Sequence, residues 1–174
     1  MKQFRKIAVT IGLTVALSAA QAVPTAAYHE GNTLQLKFNT FTIHGNYAKR
    51  YCSGQANLTS KAGNSVAVAV FWRAGKNLSI LARHPGVAKV KGRQKVVFKF
   101  PDGKRIVFPM QKAGDQLQVR VGFGPRGTGF YDALMANRRV LVEMPSLGDA
   151  IDVDLSEREE AASGALYCRE WLHA

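Results

Sequence analysis

Apolar and polar residues alternate along most of this chain, and the alternation has period two far more often than the three-to-four spacing of a helix. Leu34, Leu36 and Phe38 alternate with Gln35, Lys37 and Asn39, the signature of a strand buried on one side. A Gly45-Asn46 turn is then expected to lead into a second strand over Tyr47 to Cys52. The run Ser65 to Trp72 is apolar on both faces, with Val66, Val68, Val70 and Trp72 on one side and Ala67, Ala69 and Phe71 on the other, which predicts a central strand. Asn77 to Ala82 follows as another strand, and His84-Pro85-Gly86 ends it.

The best-specified local unit is the hairpin Gln94 to Met110. Pro101, Asp102 and Gly103 suit a three-residue loop, a type I turn completed by a glycine in the left-handed position. That loop pairs Phe98 with Ile106, Val96 with Phe108 and Lys99 with Arg105; a two-residue loop would oppose Phe100 to Arg105 and scramble the apolar face. Gln116 to Val121, Val140 to Met144 and Ile151 to Asp154 complete the strands. Two helices are expected near the end. Thr128 is placed to cap a short one over Gly129 to Asn137, with Phe130, Ala133 and Leu134 inward. Ser156 and Glu159 form an S-x-x-E capping box before a second, in which Ala161, Ala165, Cys168 and Leu172 recur at helical spacing. The fold class predicted is a β-rich α+β domain: an antiparallel, sandwich-like sheet with a short helix and a C-terminal capping helix.

The first residues change the picture of where the protein works. Lys2, Arg5 and Lys6 precede an apolar run from Ile7 to Ala20 and the small-residue stretch Ala20-Gln21-Ala22, the pattern of a secretory signal peptide. Cleavage is expected after Ala22, with a site after Ala27 as the alternative, and residues 23–31 read as a mobile leader. The remaining 23–174 form one domain, with no later apolar segment long enough to span a membrane, and the compartment expected is periplasmic or extracellular. In an exported chain the two cysteines, Cys52 and Cys168, are most simply one disulfide, tying the last helix to an early strand.

Removing the three leading basic residues lowers the formal net charge from +12 to +9, so the domain is strongly basic. Lys89, Lys91, Arg93, Lys95, Lys99, Lys104 and Arg105 have only Asp102 among them. Lys95, Lys99 and Arg105 share the polar face of the hairpin. Such a surface attracts anionic partners in a salt-dependent manner, and the partners expected are an anionic polysaccharide, lipopolysaccharide or an acidic protein. The opposing reading is that the lysines solubilise the hairpin and protect a sheet edge. Nucleic acid is disfavoured, because Phe98 and Phe100 belong to the core rather than to a base-stacking platform.

Other chemistry is sparse. His29, His44, His84 and His173 fall in a leader, turns and a tail, where solvated histidines are expected, and none has metal-binding helical spacing. In the acidic cluster Asp149, Asp152, Asp154, Glu157, Glu159 and Glu160, Asp152 and Asp154 alternate with Ile151, Val153 and Leu155 and read as the wet face of a strand, and the glutamates as the first turn of a helix. The glycine-rich Gly122 to Gly129 stretch contains Arg126 but matches no phosphate-loop signature, so it reads as a connection. No cofactor is expected.

The order of strands, D-G-K hairpin, the helical A-L-M-A-N-R-R-V segment, then D-L and a helix bearing a cysteine resembles small periplasmic proteins of the invasion-associated locus B family. A similar ending occurs in accessory proteins of type VI secretion systems. The resemblance covers mainly Gln94 to Leu172 and departs from the locus B pattern in having only two cysteines. It implies an exported, non-enzymatic, sandwich-like protein of a Gram-negative bacterium engaged in envelope or host interaction, and it transfers no binding residues. An accessory subunit of an envelope assembly with incidental charge is the alternative function; an envelope-polymer hydrolase built on His44 or His84 beside a carboxylate is a third.

Overall fold

A computed structural model describes residues 26–73, 78–122 and 124–173. The expected signal peptide (1–22), Asn77 of the strand expected over Asn77 to Ala82, and Phe123 lie outside the described residues, as do residues 23–25 of the expected leader. Among the described residues eleven strands form one antiparallel sheet: β1 (Ala26–Glu30), β2 (Thr33–Lys37), β3 (Thr42–Asn46), β4 (Tyr51–Thr59), β5 (Ser65–Arg73), β6 (Leu78–Arg83), β7 (Arg93–Lys99), β8 (Arg105–Ala113), β9 (Gln116–Val121), β10 (Arg139–Met144) and β11 (Asp149–Asp154). Helix α1 (Pro125–Ala136) and helix α2 (Arg158–Trp171) complete the domain, which is β-rich α+β.

The strand order is β1-β2-β3-β4-β5-β6-β9-β8-β7-β10-β11. Consecutive strands are neighbours except where β9 inserts beside β6 and the β7–β8 hairpin follows in reverse. The Lys61 N–H, in the turn after β4, donates to the Ala150 carbonyl of β11, although six strands separate β4 from β11 in the sheet order. Two such distant strands meet only because the sheet bends back on itself, and this makes the architecture sandwich-like.

The bend encloses the main core. Val66, Ile80, Leu117, Phe108, Val96, Val142 and Ile151 face inward from β5, β6, β9, β8, β7, β10 and β11 and are all buried. Phe130 of α1 inserts among Phe98, Phe108 and Phe100, with ring centroids 4.9, 5.1 and 6.5 Å away in edge-to-face geometry. A second, smaller core lies between α2 and β2–β4, built from Leu34, Leu36, Phe38, Ile43, Cys52, Cys168 and Leu172. Cys52 and Cys168 are bridged. The helix reaches the sheet closely because two glycines let it: a Cβ on Gly45 would sit 2.7 Å from Cys168 Sγ and 2.9 Å from the Trp171 ring, and one on Gly164 would sit 3.1 Å from the Phe38 ring.

The hairpin register agrees with expectation: Phe98 opposes Ile106, Val96 opposes Phe108 and Lys99 opposes Arg105. The loop closes by Gly103 N–H donating to the Phe100 carbonyl, with Gly103 at φ 85°. Several local expectations are corrected. Gly45 and Asn46 end β3 rather than forming a turn; the chain reverses at 47–50, with Arg50 at φ 49°. Ala26–Glu30, expected within a leader, pair with β2. Helix α1 begins at Pro125, not after Thr128, since proline at the first helical position costs no hydrogen bond. The Ser156–Glu159 capping box does not form. Ser156 N–H donates to Asp154 Oδ1, and α2 starts after Glu157, whose carboxylate instead accepts the Asn39 and Thr40 amides and the Asn39 side chain.

Two stability predictions follow from the helix seam. Replacing both cysteines by alanine should cost about 2–5 kcal/mol, because the bridge closes a loop of 116 residues; urea unfolding of oxidised wild type against the variant measures it. Gly45→Ala, with the bridge intact, should cost about 1–3 kcal/mol by overpacking; an unchanged urea midpoint would contradict the close approach.

Candidate functional site

Three regions hold chemistry-bearing side chains: a buried polar cluster, the outward face of the hairpin and the outward face of β2–β5. The buried cluster forms where the bent sheet meets itself. Asp149, the first residue of β11, is in phase with Ile151 and Val153, so the pleat turns it inward. Its Oδ2 accepts from Ser60 Oγ at 2.5 Å and Asn64 Nδ2 at 2.9 Å, and lies 2.9 Å from His84 Nε2. Its Oδ1 accepts from the Ala62 and Ala150 amides. Burial alone would raise the Asp149 pKa, but the hydrogen bonds from Ser60, His84, Asn64 and the Ala150 amide outweigh it and hold the carboxyl well below the usual range.

His84 corrects the expectation of a solvated histidine: its side chain is 4% exposed, and that of Asp149 2%. His84 caps the 3-10 turn Pro85–Lys89, and its Nδ1 accepts the Gly86 N–H at 2.9 Å. That bond fixes the tautomer: with Nδ1 accepting, the ring proton sits on Nε2 and is donated to Asp149. Both nitrogens are thereby used. A His-Asp pair working as a general base keeps one nitrogen open to a substrate proton, and here none is. Ser60 also bonds to Asp149, not to the imidazole, so the three residues form a clasp rather than a nucleophile relay.

On the hairpin, Arg93, Lys95, Lys99 and Arg105 occupy the outward face, with Lys99 opposite Arg105 and Lys95 opposite Pro109. Lys99 Nζ pairs with Glu143 Oε1 of β10 at 2.6 Å. Lys104 turns aside and donates to the Gly129 carbonyl of α1. Lys89 and Lys91, in the segment leading into β7, are exposed. Among the described residues, Lys89, Lys91, Arg93, Lys95 and Arg105 have no acidic partner. The one acid of the segment, Asp102, accepts from the Lys104 amide and Asn137 Nδ2, which in that order lower its pKa. Strand β10 pairs with β7 only at Val97 to Lys99, so Arg93 and Lys95 flank a strand half whose second edge carries no ladder. Their charge also discourages another strand from adding there.

The glycine-rich stretch makes no phosphate cradle. Arg126 lies over the Phe108 ring, 5.1 Å from its centroid, and donates to the Val107 carbonyl. A Cβ on Gly127 would collide with the Gly122 carbonyl, so this segment is a tight helix entry. Asp152 and Asp154 are exposed as expected, and Asp152 pairs with Arg139. Among the described residues no group of three or more His, Cys, Asp or Glu side chains is placed to hold a metal, and no helix is long and apolar enough to cross a membrane.

His44 stands in β3, not in a turn, and is half-buried on the outward face. Burial, and next the charge of Lys37, lower its pKa. No family model, curated protein sequence or solved structure matches the chain.

The clasp yields a pH prediction. A carboxyl whose folded pKa is depressed stabilises the fold fully above its unfolded value, about 3.9, and loses that contribution as pH falls toward the folded value. Asp149→Ala should therefore cost about 3 kcal/mol or more at neutral pH, leaving Ser60, Asn64 and His84 without their shared acceptor. The gap in melting temperature between wild type and variant should narrow below about pH 4. A gap that is constant from neutral pH into strong acid would rule out this role for the carboxylate.

Proposed function

We propose that this chain is an exported, non-enzymatic interaction protein of the bacterial envelope that holds an anionic envelope component or an acidic protein partner through the outward face of the β7–β8 hairpin. The observation that carries this reading is the run of exposed cations on one continuous segment, Lys89, Lys91, Arg93, Lys95 and, across the hairpin, Arg105, with no acidic partner among the described residues. The sheet fixes the backbone positions of these charges, so an anion that meets them need order only their side chains. Repulsion among the cations is a cost in the free protein that a bound anion removes.

The signal-peptide pattern supports export, and the disulfide agrees with an oxidising compartment. The non-enzymatic reading is supported by His84, both of whose ring nitrogens are engaged. Polysaccharide, lipopolysaccharide and acidic protein share the chemistry required. Nucleic acid fits less well, since Phe98 and Phe100 are buried at 3% and 5% exposure and leave no aromatic platform on the hairpin.

The alternative, an accessory subunit whose charge is incidental, is favoured by one observation. Tyr131 of α1 and Leu166 and Tyr167 of α2 are 52%, 50% and 55% exposed. That reading requires a single protein partner held through apolar contact, with little dependence on salt.

Retention of the mature, oxidised protein on heparin across a salt gradient separates the two. Late elution should move to markedly lower salt when Arg93, Lys95 and Arg105 are all changed to Glu, Lys99 being kept so that Glu143 stays paired. The melting temperature should shift by only a few degrees, as exposed substitutions cost about 0.5 kcal/mol or less each. Equal retention of wild type and variant would reject the basic face, and a stoichiometric protein captured from envelope extract at high salt would favour the assembly reading.

A further inference from the structure

A second outward surface, remote in the strand order from the hairpin, has a different chemistry. Across β2, β3, β4 and β5 the register places Gln35, His44, Ser53 and Phe71 side by side in one row. Asn46 and Tyr51 flank it on one side and Gln55 on the other. Together these residues border an open groove of about 380 Å³ whose lining, completed by Thr33, Leu34 and Gly45, includes no Lys, Arg, Asp or Glu. The Tyr51 and Phe71 rings, with centroids 5.9 Å apart and planes inclined at 43°, make one apolar wall.

The hydrogen-bonding groups are divided between donors and acceptors. Asn46 Oδ1 accepts the Lys49 amide, which leaves its Nδ2 donors to the groove. Gln55 Nε2 donates to Asn57 Oδ1, which leaves its carbonyl oxygen as an acceptor. Burial and Lys37 keep His44 a neutral imidazole, with one donor and one acceptor nitrogen. Ser53, 4% exposed, adds a hydroxyl at the floor.

Each property narrows the ligand. A charged group would meet no counter-charge in the lining itself, since Lys37, whose charge reaches His44, stands outside it, and would lose its hydration, which disfavours the anions proposed for the hairpin. A purely apolar group would strip water from the amides and leave them unsatisfied. Adding a peptide strand is excluded at this place, because β2, β3, β4 and β5 each have neighbours on both sides and spend their backbone groups in the ladder. What remains is an uncharged molecule read by side chains alone, with many groups that both donate and accept, and with apolar C–H faces that lie against aromatic rings. Four strands spaced at about 4.8 Å make the row about 14 Å long, the reach of several linked rings rather than one.

We propose that the outward groove of β2–β5 is a binding site for a neutral saccharide, with Gln35, His44, Asn46, Ser53 and Gln55 reading its hydroxyls and Tyr51 and Phe71 carrying its apolar face. This site is independent of the basic hairpin. One serves uncharged sugar units and the other negative charge, so a partner carrying both could be held at two places.

The test uses the full mature chain with its disulfide intact and a panel of uncharged oligosaccharides: α- and β-linked glucose, mannose, galactose and N-acetylglucosamine hexamers, titrated calorimetrically at low and at high salt. At least one linkage class should bind at millimolar or tighter affinity, unchanged by salt. Gln35→Ala and Gln55→Ala, at partly exposed positions where folding is spared, should each weaken it about tenfold, the loss of one hydrogen-bonding group. Phe71→Ala should weaken it at least as much. The hairpin variant with three Glu substitutions should bind the same sugar normally, so failure of the anionic reading and failure of this one are seen separately. The proposal is overturned if no uncharged sugar in the panel binds, if binding disappears at high salt, if the Gln35 and Gln55 variants bind as wild type, or if only peptides are taken up in the groove.

Discussion

The fold turns on a single carboxylate. A sheet of eleven strands that bends back on itself must join ends that are far apart in sequence, and the place where they meet is polar backbone that still needs partners. Asp149 resolves this by accepting from the Ser60 hydroxyl, the Asn64 amide, the His84 imidazole and two backbone N–H groups. These donors come from the turn after β4, the cap after β6 and the start of β11. Once the carboxylate is buried, removing a donor exposes the charge to an apolar surrounding, so the members hold one another in place. The adjacent Lys61 to Ala150 backbone bond then continues the closure.

The other end of the sheet is held by different physics. There α2 packs on the second, smaller core and is joined covalently at Cys168, while Glu157, the residue before its first turn, grips the 39–40 turn. Gly45 and Gly164 bring the helix axis close enough for the sulfurs to meet. Arg50, in the tight turn before β4, donates to the Leu172 carbonyl and seals the helix end. Polar closure at one end and covalent closure at the other leave the outward faces of the central strands without structural duties, which is where the candidate binding surfaces lie.

How much of this was legible depended on the range of the interaction. The β7–β8 register followed from Pro101, Asp102, Gly103 and the alternation on either side, all within a few residues. The disulfide followed from there being only two cysteines in a chain whose first residues read as an export signal. Asp149 was not recognised, because its partners stand 89, 85 and 65 positions earlier and a long-range polar cluster leaves no period of its own. A signal was nevertheless present: Asp149 shares the phase of Ile151 and Val153, whereas Asp152 and Asp154 occupy the opposite phase. The α1 start was misplaced by weighing the Thr128 cap above Pro125, and in place of the α2 capping box the helix starts after Glu157, which is held by the Asn39 and Thr40 amides, while the Ser156 amide turns locally to Asp154.

The same reasoning bears on how the outward faces differ. On β7, positions 93, 95 and 99 carry cations and position 97 carries a valine that is 2% exposed, lying between Val107 and Glu143 in the ladder. A solubilising surface needs no such order, and a lone exposed lysine among mixed charges would serve it equally well. On β2–β5, in contrast, the outward row replaces charge by amides, a neutral imidazole and two rings, although a face serving only solubility would gain more from charge than from amides. Half-buried Gln, Asn and His side chains lose hydration without gaining charge-assisted bonds. Their concentration in one groove, on strands whose backbone is fully paired, is a cost to the free protein that a hydroxyl-bearing ligand would offset, and this sets the groove apart from ordinary wet sheet surface.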